Sequence, residues 1–70
     1  SKLYVLKDDI QKIEDLAGKS VVVQKGTVNE YVWAQTYAKF GIDPKSVNPL
    51  YISSTAEGLA LVKSGDADAI

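Results

Sequence analysis

The chain has no cysteine, no histidine and no methionine in its 70 residues. Without cysteine it has no disulfide, and without cysteine or histidine it has no thiolate or imidazole metal site. The same absences exclude a Cys–His pair and a Ser–His–Asp triad, so the common nucleophilic hydrolases are closed to it. Net charge is only −1, from 8 basic and 9 acidic residues well mixed along the chain. No basic run exists, which argues against nucleic acid as a partner. The longest apolar runs are a few residues, too short for a membrane span, and no signal-peptide pattern is visible. A chain of this length is one domain at most and buries only about 60% of its unfolded surface. Such a domain is marginal alone, and the disulfides that often support one are unavailable here.

What the chain has instead is alternation. Residues 3–6 (LYVL) form a short apolar run of β-formers and read as a strand. Asp8, with Gln11 three residues later, fits a cap, Ile13 and Leu16 follow at helical spacing, and Gly18 closes the segment, so residues 10–17 read as a short helix. Ser20–Gln24 (SVVVQ) is the clearest strand. Its β-branched run does not alternate with polar residues, which implies burial on both faces. Val28–Phe40 is the clearest helix: Tyr31, Trp33, Ala34, Tyr37, Ala38 and Phe40 share one half of the wheel, with Val32 a misfit on the polar side. Gly41 ends it, and Asp43-Pro44 turns the chain. Residues 50–52 read as a third strand and 54–63 as a helix, with Ser54 as cap, Glu57 at the box position and Gly65 at the end. Gly58 inside that helix costs roughly 1 kcal/mol against alanine. Residues 67–70 read as the start of a fourth strand.

Strands alternating with helices imply right-handed crossovers. The fold class is therefore α/β, a small and mostly parallel sheet with helices on its faces, in a single domain over residues 1–70. A strand that starts at the last residues is what a piece cut from a larger lobe shows. There are no internal repeats and no low-complexity segments.

The strand-to-helix junction Val23-Gln24-Lys25-Gly26-Thr27-Val28 carries the most chemistry. In open α/β sheets, ligands bind beyond the carboxyl ends of the strands. A helix starting at Val28 brings free N–H groups and the positive end of its dipole to that place. Gly26 lets a ligand approach the backbone, and Thr27 offers a hydroxyl, so a carboxylate, sulfonate or phosphate suits the junction. Thr27-Val28-Asn29-Glu30 also fits the T-x-x-E capping box, in which Thr27 and Glu30 satisfy the helix end themselves. Both readings stay open on spacing alone. Neither the P-loop nor the dinucleotide fingerprint is present, and no cofactor is called for.

Other candidates have plainer explanations. Asp66 and Asp68 as acid and base, or as ligands of a hard cation, compete with solvated turn positions after a helix. Tyr31, Trp33, Tyr37 and Phe40 as a stacking platform compete with a core face at helical spacing. Lys2, Lys7, Lys12 and Lys19 are scattered and read as solvated.

Glu14-Asp15-Leu16-Ala17-Gly18-Lys19, followed by Val21-Val22-Val23-Gln24-Lys25-Gly26-Thr27, resembles the DLxGKxVxVxxGT/S segment of type II periplasmic solute-binding proteins, the soluble receptors of ABC importers. Phe40-Gly41-Ile42-Asp43-Pro44-Lys45-Ser46-Val47, then Tyr51-Ile52-Ser53, then Ser64-Gly65-Asp66-Ala67-Asp68-Ala69-Ile70, resemble later segments of the same lobe in the same order. The connection with Gly-Ile-Asp-Pro looks more like the sulfonate, taurine and nitrate branch than the amino-acid branch. The resemblance covers nearly the whole chain and matches the second lobe of a protein that closes on its ligand like a hinged trap. It implies a cleft-facing Gly-Thr junction whose N–H groups hold an anion. The candidate ligand residues are Lys25, Gly26, Thr27, Val28, Asn29 and Ser54. Many amino-acid binders have a second hydroxyl where this chain has Val28, so only the backbone N–H carries over there. The acidic residue that holds an ammonium group in those binders lies beyond Ile70.

Three functions follow. In the first, the chain is a ligand-binding lobe that does no chemistry and takes a small anion: a sulfonate, nitrate or an amino-acid carboxylate. Its parent is periplasmic or extracellular, membrane-anchored forms included, and delivers the ligand to a membrane permease; the same module also serves as a sensory domain. In the second, it belongs to an enzyme of this fold such as the pyrimidine-precursor synthases, whose chemistry here would fall to Lys25. In the third, it is an excised or engineered fragment without measurable binding. Missing strands would leave an open sheet edge, which favours self-association.

Overall fold

The computed structural model describes residues 3–70, which leaves Lys2 outside it. Two strands and two helices form the frame: β1 (Ser20–Gln24), α1 (Val28–Phe40), β2 (Asn48–Ile52) and α2 (Thr55–Ser64), with 3₁₀ turns at Ile13–Leu16 and Pro44–Ser46. β1 and β2 pair in parallel, with Val22 opposite Leu50 and Gln24 opposite Ile52. The central valines are buried on both sides of the sheet. Val21 and Val23 pack with Trp33 and Tyr37 of α1 and with Ile42 and Val47. Val22 packs with Ile52 and Ala67 on the other face, where Leu61 and Val62 of α2 join them. The expected α/β class is therefore observed, with one helix on each face of a parallel pair.

The outer two strands are thinner than the sequence suggests. Residues 3–6 make one antiparallel bridge, Val5 to Ala69, and residues 67–70 make that bridge and a parallel one from Ala69 to Val21. Backbone bonds still hold the four segments in line: Tyr4 and Ile70 exchange N–H···O bonds of 2.8 and 3.0 Å, and the Val22 N–H donates to the Ala69 carbonyl at 2.9 Å. The expected helix over residues 10–17 shrinks to the 3₁₀ turn at Ile13–Leu16. The cause is local, since the Asp15 carboxylate accepts from the Gln11 and Lys12 N–H groups at 3.0 and 3.2 Å and bends the chain before a regular turn can start.

The apolar arc expected on α1 is also narrower. Only Trp33 and Tyr37 are buried, their rings stacked with centroids 5.7 Å apart. Tyr31, Ala34, Ala38 and Phe40 are exposed, and Val32 is half-buried. Two large rings one turn apart suffice to cover β1. The Trp33 indole N–H also donates to the Val22 carbonyl at 3.1 Å and satisfies a backbone acceptor on the sheet. Gly58 has a packing reason. A Cβ there would lie 3.1 Å from the Ile52 Cδ1 and 3.5 Å from the Ile70 Cδ1, so its lack of a side chain lets α2 approach the sheet.

Two lysines and one aspartate expected to be merely solvated make specific bonds. Lys7 Nζ donates to the Gly65 carbonyl and to Asp68 Oδ1, both at 3.0 Å, and Lys19 pairs with Asp9 at 3.1 Å. Asp68 Oδ2 accepts the Ser20 N–H at 2.8 Å. Asp68 thus ties three segments together and is committed to structure, whereas Asp66 remains a turn residue bonded to the Ser64 hydroxyl. The Ser20 N–H, and then Lys7, hold the Asp68 carboxyl below its ordinary value of 3.8. A lowered carboxyl pKa stabilises the fold fully above the unfolded value and loses that contribution as pH falls through the folded one. Asp68→Asn is therefore expected to cost about 1 kcal/mol at neutral pH, after allowance for solvent around the ion pair. The gap to the unsubstituted chain should close in urea denaturation below the ordinary carboxylate range. A gap that stays constant with pH would refute the assignment.

Candidate functional site

The heads of both helices meet at the carboxyl ends of the two strands. β1 runs out at Gln24, three residues before the Thr27 cap of α1, and β2 ends at Ile52, two residues before the Ser54 cap of α2. Between them lies a cavity of about 170 Å³ lined by Gln24, Asn29 and Thr55, with Val22, Ile52, Gly58, Leu59 and Ile70 as its apolar part. Two helix dipoles present their positive ends there.

The turn that makes this place is set by Gly26, whose φ of 75° lies in the left-handed region. Around it the polar groups are closely engaged. The Thr27 hydroxyl donates to the Gln24 carbonyl at 2.6 Å and accepts the Asn29 N–H at 3.2 Å. Asn29 Oδ1 accepts the Gln24 N–H at 2.8 Å. The Thr27 cap is thus present, but the reciprocal half of the box is displaced by one residue: Glu30 Oε1 accepts the Gly26 N–H at 3.2 Å, not that of Thr27. The consequence is chemical. Among the described residues the N–H groups of Thr27 and Val28 have no partner, nor does the Asn29 carboxamide nitrogen, while the Thr27 hydroxyl proton is already committed. The junction therefore offers backbone and carboxamide donors more than a free hydroxyl.

At the second helix, Ser54 Oγ accepts the Glu57 N–H at 3.3 Å. Glu57 Oε1 accepts from the Ser53 hydroxyl at 2.6 Å and the Ser53 N–H at 3.2 Å. These bonds, the Ser53 hydroxyl foremost, hold the Glu57 carboxyl below its ordinary range. Ser54 is thus a cap with Thr55 next to it on the cavity wall. Lys25 points elsewhere, its Nζ 5.4 Å from the centroid of the Tyr51 ring. Of the six residues expected to bind ligand, Asn29 lines the cavity, Lys25, Gly26, Thr27 and Val28 form the turn before it, and Ser54 adjoins it. Gln24, Thr55 and Leu59 were not singled out from the sequence. The signal for Gln24 was its position at the end of the valine run, and for Thr55 the Ser-Ser-Thr head of α2. Among the described residues no group of three acidic side chains is placed to hold a metal, and no helix is long and apolar enough to cross a membrane.

A parallel β-α-β frame with two helix heads over the strand ends defines the class, one lobe of a type II periplasmic binding protein. The chain belongs to the NMT1/THI5 like family, whose model matches residues 1–70. It is similar to the alkanesulfonate-binding protein SsuA from Xanthomonas axonopodis pv. citri bound to MOPS, at 31% identity and a TM-score of 0.83, over 96% of this chain and 23% of that one. The periplasmic aliphatic sulphonate binding protein SsuA from Escherichia coli matches at 25% identity and the same TM-score of 0.83, again over 96% of this chain and 23% of that one. An ancestral arginine-binding protein bound to arginine matches at 29% identity and a TM-score of 0.64, over 96% of this chain and 28% of that one. The chain thus spans about a quarter of the length of these relatives. A comparison with curated proteins found no match.

The Thr27 cap is testable by itself. Thr27→Val keeps the shape but removes both hydroxyl bonds, and is expected to lower stability by about 1 kcal/mol, with Thr27→Ser close to the unsubstituted chain. Equal urea midpoints for the valine and serine variants would show that the cap contributes nothing.

Proposed function

We propose that this chain is a ligand-binding lobe of an extracytoplasmic solute-binding protein and that it takes a small anion at the Lys25–Asn29 turn and the head of α2. The observation that carries the reading is the pair of unpartnered N–H groups at Thr27 and Val28, at the positive end of a 13-residue helix and beside the cavity at the strand ends. A sulfonate is the preferred ligand. It accepts several hydrogen bonds at once, and two of the relatives are named as sulfonate-binding proteins. An amino-acid carboxylate or nitrate would use the same donors. The lobe performs no chemistry and needs no cofactor. In the parent protein, which we place in the periplasm or outside the cell, a second lobe closes over the ligand and the closed form delivers it to a membrane permease.

A second reading has an observation of its own. Glu30 and Glu57 set carboxylates at the two helix heads, where they occupy donors and repel an anion. A single lobe with that competition is a half-site, and a fragment without measurable binding is its limiting case. An amide-resolved NMR titration separates the two. With taurine, a longer alkanesulfonate, nitrate and glutamine in turn, the amides of Gly26, Thr27, Val28 and Asn29 are expected to shift saturably with the sulfonates first. A dispersed spectrum in which those amides ignore every anion at millimolar levels would leave them as helix-closing residues only.

We also propose self-association through the segment around Val5. Tyr4, Val5 and Leu6 are exposed along the outermost strand segment, whereas the outer edge of β2 carries Pro49, which has no N–H to offer a second chain. Sedimentation should show a concentration-dependent dimer that Val5→Lys suppresses. A clean monomer at high concentration would rule this out.

A further inference from the structure

We propose that the groove between α1 and the outer edge of β2 is a second binding site, one for an organic cation with an alkylammonium head. The sheet register creates it. Pairing of Val21 with Pro49 and of Val23 with Tyr51 sets Pro49 and Tyr51 on the α1 face of the sheet. α1 lies over β1, where Trp33 and Tyr37 pack on Val21 and Val23, and does not reach far enough to cover Tyr51, which stays 53% exposed. The space left is a cavity of about 180 Å³ whose lining includes Trp33, Tyr37, Tyr51 and Glu30.

Its chemistry is one-sided. Glu30 is the one charged residue lining it, and among the described residues that carboxylate makes no ion pair; its single recorded bond is Oε1 to the Gly26 N–H. Aromatic faces carry partial negative charge, so a cation is attracted and an anion is not. The Tyr51 ring already shows this preference, since the Lys25 ammonium sits 5.4 Å from its centroid. Tyr37 is buried as a residue, but its hydroxyl is open to solvent and has no hydrogen-bond partner among the described residues. Three aromatic residues and a carboxylate without an ion pair line the same groove, which suits a trimethylammonium or alkylammonium group better than a neutral apolar one. The groove shares Glu30 with the head of α1, but its aromatic wall lies on the α1 face of the sheet, and the proposal does not rest on anion binding.

The test uses choline and its neutral carbon isostere, dimethylbutanol, with the fluorescence of Trp33, the chain's 1 tryptophan, as readout. Choline should change the signal saturably, and the isostere should bind at least about threefold more weakly. Glu30→Gln should weaken choline by about three- to fivefold, the range of a half-exposed charge pair. Lys25→Gln should tighten it, because a competing ammonium is removed, and Tyr51→Leu should abolish the response. Equal binding of choline and the isostere would reduce the groove to an apolar pocket and overturn the proposal. So would no response to choline at tens of millimolar, or a choline affinity unchanged in Glu30→Gln.

Discussion

Everything in this lobe depends on the burial of Val21, Val22 and Val23 on both faces of one strand. A strand with apolar residues on alternating faces can be covered only by elements on both sides, so the chain must cross over the sheet on one face and return on the other. α1 and its rings meet the first demand and α2 the second. Gly58 is the second demand written into a helix, because a side chain there would hold α2 away from Ile52 and Val22. The same arrangement brings two helix heads to the same end of the sheet. The candidate site is thus a by-product of how the valines are covered, and needs no residue with unusual chemistry.

That origin explains the character of the site. The chain contains no arginine, so the planar fork that commonly grips sulfonates and carboxylates is unavailable. Donors come from backbone N–H groups and the Asn29 carboxamide, and the nearest ammonium, Lys25, is turned onto Tyr51. Glu30 and Glu57 meanwhile lower the positive potential of the helix ends that an anion would use. On the proposed reading, a lobe built this way would grip an anion weakly alone and gain most from donors on a facing surface.

The elements defined by local chemistry were legible in the sequence. β1 and α1 fall on the residues expected because the valine run, the Gly26 turn, the Thr27 cap and the Gly41 cap are all local signals. What was not legible depends on distant partners. Residues 3–6 and 67–70 pair through single bridges whose existence rests on each other. Asp68 looked like a turn residue because its partners, Lys7 and the Ser20 N–H, are 61 and 48 positions away. The width of the apolar face of α1 could not be read from the wheel, since it depends on where β2 lies beneath it. At the candidate site the Thr27 cap is present as its spacing implies and Gly26 holds a left-handed turn, yet the partner of Glu30 is shifted by one N–H, which leaves the Thr27 N–H without a partner among the described residues.

The paired bonds between Tyr4 and Ile70 have a further consequence. Because the two segments run antiparallel, Tyr4 and Ile70 lie side by side with the chain running in opposite directions through them. A linker of a few residues would turn the polypeptide into a ring without moving an atom of the core. Closing such a ring removes freedom from the unfolded chain and little from the folded one. The Tyr4–Ile70 bonds thus do in the folded state what such a closure would do covalently, holding segments from opposite parts of the described chain side by side.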